Sequence, residues 1–253
     1  MKAFLMAAGK GTRLRPFTDD HPKCLIPIHG TPLLRIWLDL LAAHGITDVL
    51  INTHHHSDQV ERFVSEARPH TPMVLHTVYE PELLGSAGTV WENRMFMDGQ
   101  RDFLIAYADN LTNFDLSRLA AAHRRSNEME NILTMALMRA PNPAQCGIAT
   151  LDSQNTITRF IEKPEHPDSD MANAGIYIAS KEIYDVMEAH AGREKIWDLG
   201  HHILPLLAGR MRGFPVAPYY LKDIGTPEAY QAALAQWPAQ PSTDRAKLGI
   251  DIR

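Results

Sequence analysis

Cysteine is nearly absent. The 253-residue chain contains two, Cys24 and Cys146, too few for a four-ligand zinc set or a disulfide framework. That scarcity favours a reducing, cytoplasmic setting. Long apolar runs are missing too: none approaches the roughly 18–20 residues a membrane span needs. Only the short stretch Ala3 to Ala8 follows Met1-Lys2 before Gly9-Lys10-Gly11 interrupts it, so no signal-peptide core is expected. There is no excess of positive charge, because 25 Lys+Arg stand against 30 Asp+Glu for a net −5, which argues against a general nucleic-acid binder. No internal repeat is visible. Apolar residues make up 45% and charged residues 22%, which excludes a disordered chain and allows a sizeable core without covalent staples.

What charge there is lies unevenly. Residues 1–35 hold six bases (Lys2, Lys10, Arg13, Arg15, Lys23, Arg35) and two acids (Asp19, Asp20), a local balance of +4. A basic N-terminal segment in an acidic chain points to a site for a small anion; on charge alone an ordinary solvated surface fits equally.

Short β-like runs alternate with longer amphipathic ones, the pattern of an α/β fold with a largely parallel sheet. Strands are expected at Ala3–Ala8, Asp48–Asn52, Met73–Val78 and Phe103–Ala108. Thr31-Pro32 reads as an N-cap and first helical residue, with Leu33, Leu34, Trp37, Leu40 and Leu41 at helical spacing up to Gly45. Further helices are expected at Ser57–Ala67, after the loop Glu80–Gly88 to near Met97, and at Leu116–Arg125. The second half offers strands at Ile132–Met138, Gly147–Leu151, Thr156–Ile161 and Ala174–Ala179, then helices at Lys181–Ala189, Trp197–Leu207 and Pro227–Ala235. One domain over residues 1–237 is expected, with 238–253 a loosely attached polar tail.

The segment after the first strand, Ala7-Ala8-Gly9-Lys10-Gly11-Thr12-Arg13-Leu14-Arg15-Pro16, is the most informative. Glycines at a strand end let backbone N–H groups approach a phosphate, and nearby bases offset its charge. Leu14 stands where a dinucleotide fingerprint needs its third glycine, and Gly11 where an NTPase phosphate loop needs Ser or Thr. A Gly-rich anion loop with two arginines remains. Downstream, Lys23 sits between Pro22 and the apolar run from Cys24; a directed ammonium on a packed stem and a snorkelling surface lysine both fit the local sequence.

These two segments, Leu5–Pro16 and Pro22-Lys23-Cys24-Leu25-Ile26-Pro27, resemble the signature of sugar-1-phosphate nucleotidylyltransferases, of mannose-1-phosphate or heptose-1-phosphate guanylyltransferase type. Leu84-Gly85-Ser86-Ala87-Gly88, Ala108-Asp109, Gly147, Glu162-Lys163-Pro164, Asn173-Ala174-Gly175-Ile176-Tyr177 and Asp223-Ile224-Gly225-Thr226-Pro227 follow in the family's order. The resemblance covers about residues 1–235. It implies a three-layer α/β/α Rossmann-like fold with a mixed, mostly parallel central sheet. It also implies Mg²⁺-dependent joining of a nucleoside triphosphate to a sugar 1-phosphate with release of pyrophosphate. Those two small molecules are the expected partners, with no nucleic acid or membrane among them and room left for a homo-oligomer.

Such a reaction brings two polyanions together, so positive charge must offset their repulsion and hold an in-line geometry. The resemblance implies that Arg13 stabilises the departing pyrophosphate, Lys23 the α-phosphate oxygens, and Asp109 and Asp223 the metal. Asp109 and Asp223 follow strand-like runs, Phe103–Ala108 and Val216–Leu221, where sites in open α/β sheets gather; lone aspartates there are otherwise caps or turns. Ala7, Ala8, Gly9, Gly11 and Thr12 would line the nucleotide. Lys163 would grip the sugar phosphate, with Glu162, Asn173 and the backbone at Gly147 on sugar hydroxyls. In the base-recognition segment Tyr79–Gly88, Gly85, Ser86 and Gly88 would allow close approach. Glu80 or Glu82 could accept from both donors of guanine, which makes GTP the expected substrate and UTP or dTTP the alternatives. A catalytically silent nucleotide-sugar-binding subunit is the rival reading. Ala108 stands where the family commonly has glycine, and the β-helix acyltransferase domain that some members carry is not expected here. His54-His55-His56 and His201-His202 are not read as zinc sites, since neighbours in an extended chain point to opposite faces.

Overall fold

The computed structural model describes residues 1–126, 131–190 and 195–237; the expected tail, 238–253, lies outside them. With elements numbered along the chain, the described residues fall into two compact, interleaved units. The first takes Met1–Glu82, Tyr107–Phe114 and the described residues from Tyr219; the second takes Leu83–Ala106 and Asp115–Pro218.

In the first unit β1 (Lys2–Met6), β4 (Asp48–Thr53) and β5 (Val74–Tyr79) pair in parallel in the order β1-β4-β5. β1 and β4 are almost continuous buried apolar runs, as strands covered on both faces must be. Helix α1 (Leu33–Ala43) buries Leu33, Leu34, Ile36, Trp37, Leu38, Leu40 and Leu41, and α2 (Ser57–Ala67) has the expected bounds. Thr31 does not cap α1. Thr31–Pro32 is a short strand, β3, paired with β2 (Pro27–Ile28) around His29-Gly30, and Pro32 itself occupies the cap position. Both turn residues have positive φ, 48° and 83°, the requirement of a two-residue hairpin loop that a His-Gly pair can meet. The unit is completed by β7 (Asn110–Thr112), β13 (Leu221–Asp223) and α6 (Pro227–Gln236). The strand expected at Val216–Leu221 is absent; Pro218 lacks the N–H a ladder needs, and pairing resumes only at Leu221.

The second unit centres on the ten-residue strand β11 (Met171–Ser180), antiparallel to β6 (Asp102–Tyr107), β8 (Leu133–Arg139) and β9 (Gly147–Leu151). β10 (Ile157–Glu162) extends β9 antiparallel, and β12 (Met211–Pro215) runs parallel to β8. The result is an α/β fold with a mixed sheet, and the helices α3 (Gly85–Glu92), α4 (Leu116–Ser126) and α5 (Ile183–Glu188) belong to this unit. The β11–β8 register breaks between Asn173 and Tyr177, where Gly175 has φ 68° and its N–H donates to Asn173 Oδ1 at 2.9 Å. The helix expected over Trp197–Leu207 is instead a π-turn, Leu199–Ile203, followed by a 3₁₀ turn, Leu204–Leu207. Pro205 supplies no N–H to continue a regular ladder. No helix among the described residues is long and apolar enough to cross a membrane.

Candidate active site

In the first unit, three strand ends are tied together. Ala7, just past β1, donates its N–H to Asn52 Oδ1 of β4 at 2.7 Å, and Asn52 Nδ2 donates to Glu80 Oε1, just past β5, at 2.9 Å. Glu80 is only 2% exposed. This corrects the sequence reading of Glu80 as a base reader: its carboxylate supports the Gly-rich segment from below, and of the two glutamates Glu82 alone is exposed.

Past Ala7 and Ala8 the chain turns through Gly9 and Gly11. Gly11 has φ 63°, and a Cβ there would lie 2.9 Å from Thr18 Cγ2 and 3.2 Å from Lys23 Cβ. Its carbonyl accepts from the Leu14 N–H and the Thr18 hydroxyl, each at 2.8 Å. The Thr12–Leu14 turn thus buries Leu14 and leaves Thr12 and Arg13 exposed. Arg15 pairs with Asp19 at 3.1 Å on the surface.

Lys23 lies beside this segment on a 3₁₀ turn, 7% exposed. Of the two readings the local sequence allows, a directed ammonium on a packed stem and a snorkelling surface lysine, the structure shows the first. Its ammonium reaches Asp109 Oδ2 at 2.6 Å and Asp223 Oδ1 at 3.2 Å. The two carboxylates meet because β7 and β13 pair antiparallel with Asn110 opposite Asp223, and the Ile224 N–H donates to the Asp109 carbonyl at 3.0 Å. Gly225 makes room, since a Cβ there would sit 2.6 Å from Asp223 Oδ2. Thr226 then caps α6 by accepting from the Ala229 N–H at 3.2 Å, and Pro227 opens the helix. Each letter of Asp-Ile-Gly-Thr-Pro therefore has a local task, Ile224 through its N–H to Asp109 and its side chain in the core. The departure at Ala108 is absorbed: its methyl is fully buried and its N–H donates to the Met6 carbonyl at 2.9 Å.

Charge and burial oppose each other here. Burial alone would pull the Lys23 ammonium down, but Asp109 and Asp223 outweigh it and hold its pKa above the ordinary value. Burial and the Asp109 carboxylate push Asp223 up against the pull of Lys23 and Arg13. Two carboxylates held together, their side chains 37% and 50% exposed, suit Mg²⁺, which takes one or two carboxylates and fills its octahedron with water and phosphate oxygens. The fit rests on this donor set; among the described residues no group of three or more His, Cys, Asp or Glu could hold a metal.

The His54-His55-His56 run behaves unlike an extended strand. The chain leaves β4 at Thr53 and His56 has φ 50°, so the His55 and His56 rings lie 4.0 Å apart instead of on opposite faces. Their Nε2 atoms face the carbonyls of Thr18 and Asp19 at 3.4 and 3.0 Å, and His54 Nδ1 faces the Glu80 carbonyl at 2.8 Å. The run braces the chain just past the Gly-rich segment and the turn at Glu80.

The remaining predicted residues belong to the second unit. Gly85 and Gly88 open α3 and do not sit in a loop. Gly85 has φ 79°, and a Cβ there would lie 2.5 Å from the Trp197 carbonyl oxygen; the Gly88 N–H donates to that oxygen at 2.9 Å. The close approach these glycines allow is therefore to the Trp197 backbone. Ser86 Oγ donates to Asp198 Oδ2 and accepts from the Leu199 N–H, both at 2.8 Å. Asp198 also caps the π-turn through the His201 N–H at 3.1 Å.

Glu162, at the end of β10, has its carboxylate between two glycines: a Cβ on Gly147 or Gly200 would come within 2.5 or 2.6 Å of Oε2. Burial raises its pKa, Lys163 opposes that shift, and Asp198 adds to it. Lys163 has φ 49°, a strained conformation for a side chain with a Cβ, and its N–H donates to the Cys146 carbonyl at 3.0 Å. Asn173 holds the β11 bulge through Gly175 and donates from Nδ2 to the Tyr177 hydroxyl at 2.6 Å. Asp198, Gly200 and Asn52 are the contributors that sequence reading missed.

A family model described as nucleotidyl transferase matches residues 2–240. Among curated proteins, the chain is 31% identical over 82% of its length to the Synechocystis UTP--glucose-1-phosphate uridylyltransferase. It is 32% identical over 89% to the Streptomyces griseus glucose-1-phosphate thymidylyltransferase, and 30% over 90% to the Mycobacterium tuberculosis mannose-1-phosphate guanylyltransferase. The matches cover 55%, 62% and 62% of those proteins, so the chain spans less than two thirds of their length. Among solved structures, a Bacillus anthracis chain crystallised with sucrose superposes with a TM-score of 0.81 at 21% identity, covering 95% of this chain and 96% of that one. HddC from Yersinia pseudotuberculosis gives 0.75 at 22%, covering 93% and 99%.

Proposed function

The chain belongs to the nucleotidyl transferase family, and on that premise we propose that it joins a nucleoside triphosphate to a sugar 1-phosphate and releases pyrophosphate. The observation that carries this reading is the Lys23 ammonium held between Asp109 and Asp223 beside the Gly-rich segment. An attacking sugar phosphate oxygen must reach the α-phosphorus of a polyanion. In this reading Lys23 meets α-phosphate oxygens, exposed Arg13 the charge that grows on pyrophosphate, and the backbone from Ala7 to Thr12 lines the phosphates. Mg²⁺ held by Asp109 and Asp223 would supply further offsetting charge. In the second unit Lys163 is the cation for the sugar phosphate, and Glu162, Asn173 and the backbone at Gly147 are the groups for sugar hydroxyls. The half-buried Glu162 carboxylate, which fits because Gly147 and Gly200 have no Cβ, is a preorganised acceptor.

Within that reaction we propose GTP as the triphosphate and a mannose- or heptose-type sugar 1-phosphate as its partner. The curated guanylyltransferase supports this, while uridylyl- and thymidylyltransferases match at similar identity. With Glu80 bonded to Asn52, the guanine reading rests on Glu82, whose carboxylate can accept from N1–H and the 2-amino group together. Charged hydrogen bonds of about 1.5–3 kcal/mol correspond to roughly 10–150-fold in preference. The test is pyrophosphate release with each NTP, Mg²⁺ and a panel of sugar 1-phosphates. GTP should give the highest kcat/KM, and a value for UTP or dTTP at or above it would overturn the base assignment alone. Silence with every NTP would overturn the reaction and favour a nucleotide-sugar-binding regulatory subunit.

A further inference from the structure

Asp198 has no part in the reaction as proposed above, yet its backbone and its carboxylate are both fixed. The N–H donates to His202 Nδ1 at 2.9 Å. The carboxylate accepts from the Ser86 hydroxyl through Oδ2 at 2.8 Å and from the His201 N–H through Oδ1 at 3.1 Å.

On one side this places Asp198 against α3. The Trp197 N–H donates to the Leu84 carbonyl at 2.7 Å, and the Gly88 N–H donates to the Trp197 carbonyl at 2.9 Å. The chain entering the π-turn is thus laced to the first turn of α3. Ser86 closes the lacing: its hydroxyl proton goes to Asp198, and its oxygen accepts from the Leu199 N–H at 2.8 Å. A hydroxyl spent in this way has no proton left to give a base.

On the other side Asp198 meets the sugar-facing group. The point where a Gly200 Cβ would stand lies 3.1 Å from Asp198 Oδ1 and 2.6 Å from Glu162 Oε2, so two carboxylates press on one bare Cα. Like charges so placed oppose each other's ionisation. Asn caps as well as Asp does and would bring no repulsion, so hydrogen bonding alone does not account for a charge at this position. The balance at Glu162 shows what the charge does. Burial raises its pKa, Lys163 opposes the rise, Asp198 adds to it and His201 opposes it.

We propose that Asp198 is a positioning residue for both substrates: through Ser86 it sets the first turn of α3, where the base is read, and across Gly200 it sets the seat of Glu162, which accepts from the sugar. This rests on the reaction proposed above and adds that one side chain ties selection of the triphosphate to selection of the sugar.

Initial rates of pyrophosphate release by the full chain with Mg²⁺ test it, each substrate varied in turn. Asp198→Ala and Ser86→Ala should each raise both KM values by about tenfold, the scale of a lost charged hydrogen bond. Lys23 and Arg13 are untouched, so kcat should stay within about threefold of wild type. Asp198→Asn keeps an acceptor for the His201 N–H and offers a donor to the Ser86 oxygen. Where Glu162 is ionised, this variant should therefore return both KM values to near wild type. It should also move the fall of the sugar KM with rising pH to lower pH, because the charge that adds to the Glu162 shift is gone. A residue that only held the turn would leave that profile in place. Thermal unfolding checks that the variants fold; if Asp198→Ala does not, Ser86→Ala and Asp198→Asn carry the test. A KM increase confined to one substrate, a loss in kcat alone, or an unmoved pH profile in Asp198→Asn would overturn the proposal. A wild type silent with every triphosphate would overturn the reaction itself and this proposal with it, a result distinct from an active wild type matched by its variants, which would overturn the proposal alone.

Discussion

Replacing Lys23 by Met keeps the length of the buried stem and removes only the ammonium between Asp109 and Asp223. The lysine side chain is 8% exposed while its partners are 37% and 50% exposed, so the pair is buried on one side and open on the other. Breaking a fully buried pair costs about 3–5 kcal/mol and an exposed one at most about 1 kcal/mol. The carboxylates here can hydrate, and a loss of about 2 kcal/mol follows. At about 2–4 °C per kcal/mol for a chain of this size, Tm in EDTA should fall by about 4–8 °C. Mg²⁺ at ten times its Kd would return about 1.4 kcal/mol through binding to the folded state. In the wild type a cation must compete with the ammonium for the same oxygens, so its stabilisation should be smaller. Thermal unfolding of both proteins, in EDTA and in saturating Mg²⁺, reads both numbers. Equal Mg²⁺-induced shifts, or a variant as stable as wild type in EDTA, would refute the idea that ammonium and metal share the two carboxylates.

Arg13→Ala should lower kcat for pyrophosphate release by about 10²-fold or more with Tm nearly unchanged, because Arg13 is exposed where Lys23 is buried; more than half of wild-type turnover would remove Arg13 from the mechanism. EDTA should abolish turnover and Mg²⁺ restore it, and Asp109→Asn and Asp223→Asn should each raise the Mg²⁺ concentration needed; full activity in EDTA would sink the two-aspartate site. Glu162 carries a raised pKa. Between its ordinary value and the raised one the folded chain holds a proton that the unfolded chain releases, so its contribution lowers stability as pH rises through that interval. The ionised form is the acceptor, so KM for the sugar phosphate should fall over the same interval. Glu162→Gln should flatten both profiles, and an unchanged KM profile in that variant would exclude Glu162 from sugar binding.

The sequence was most readable where one local signal dominates. Ser57–Ala67 and Gly147–Leu151 fold within the expected bounds because their apolar periodicity is undisturbed by neighbours. Thr31-Pro32 misled because two local rules compete: the same pair that opens helices also suits a hairpin strand, and His29-Gly30 tips the balance. The convergence of Lys23, Asp109 and Asp223 could be anticipated only from ordered motifs, since 86 and 200 residues separate Lys23 from its two partners. Nothing in the local pattern around Glu80 distinguishes a base-reading glutamate from one that grips Asn52. That choice is made by strand neighbours 28 residues apart, and Ser86 meets Asp198 across 112.

The first unit is assembled from three separate stretches of chain, and its last contribution begins at Tyr219. During synthesis the Gly-rich segment, Lys23 and Asp109 leave the ribosome long before Asp223 does. At about 5–20 residues per second, the gap between Asp109 and Asp223 amounts to roughly 6–23 seconds. Throughout it the nascent chain presents Lys23 with one carboxylate and no β13 to pair with β7. The carboxylate pair around Lys23 is therefore completed only when β13 emerges, and a chain stalled before residue 219 would hold Lys23 and Asp109 without the second carboxylate.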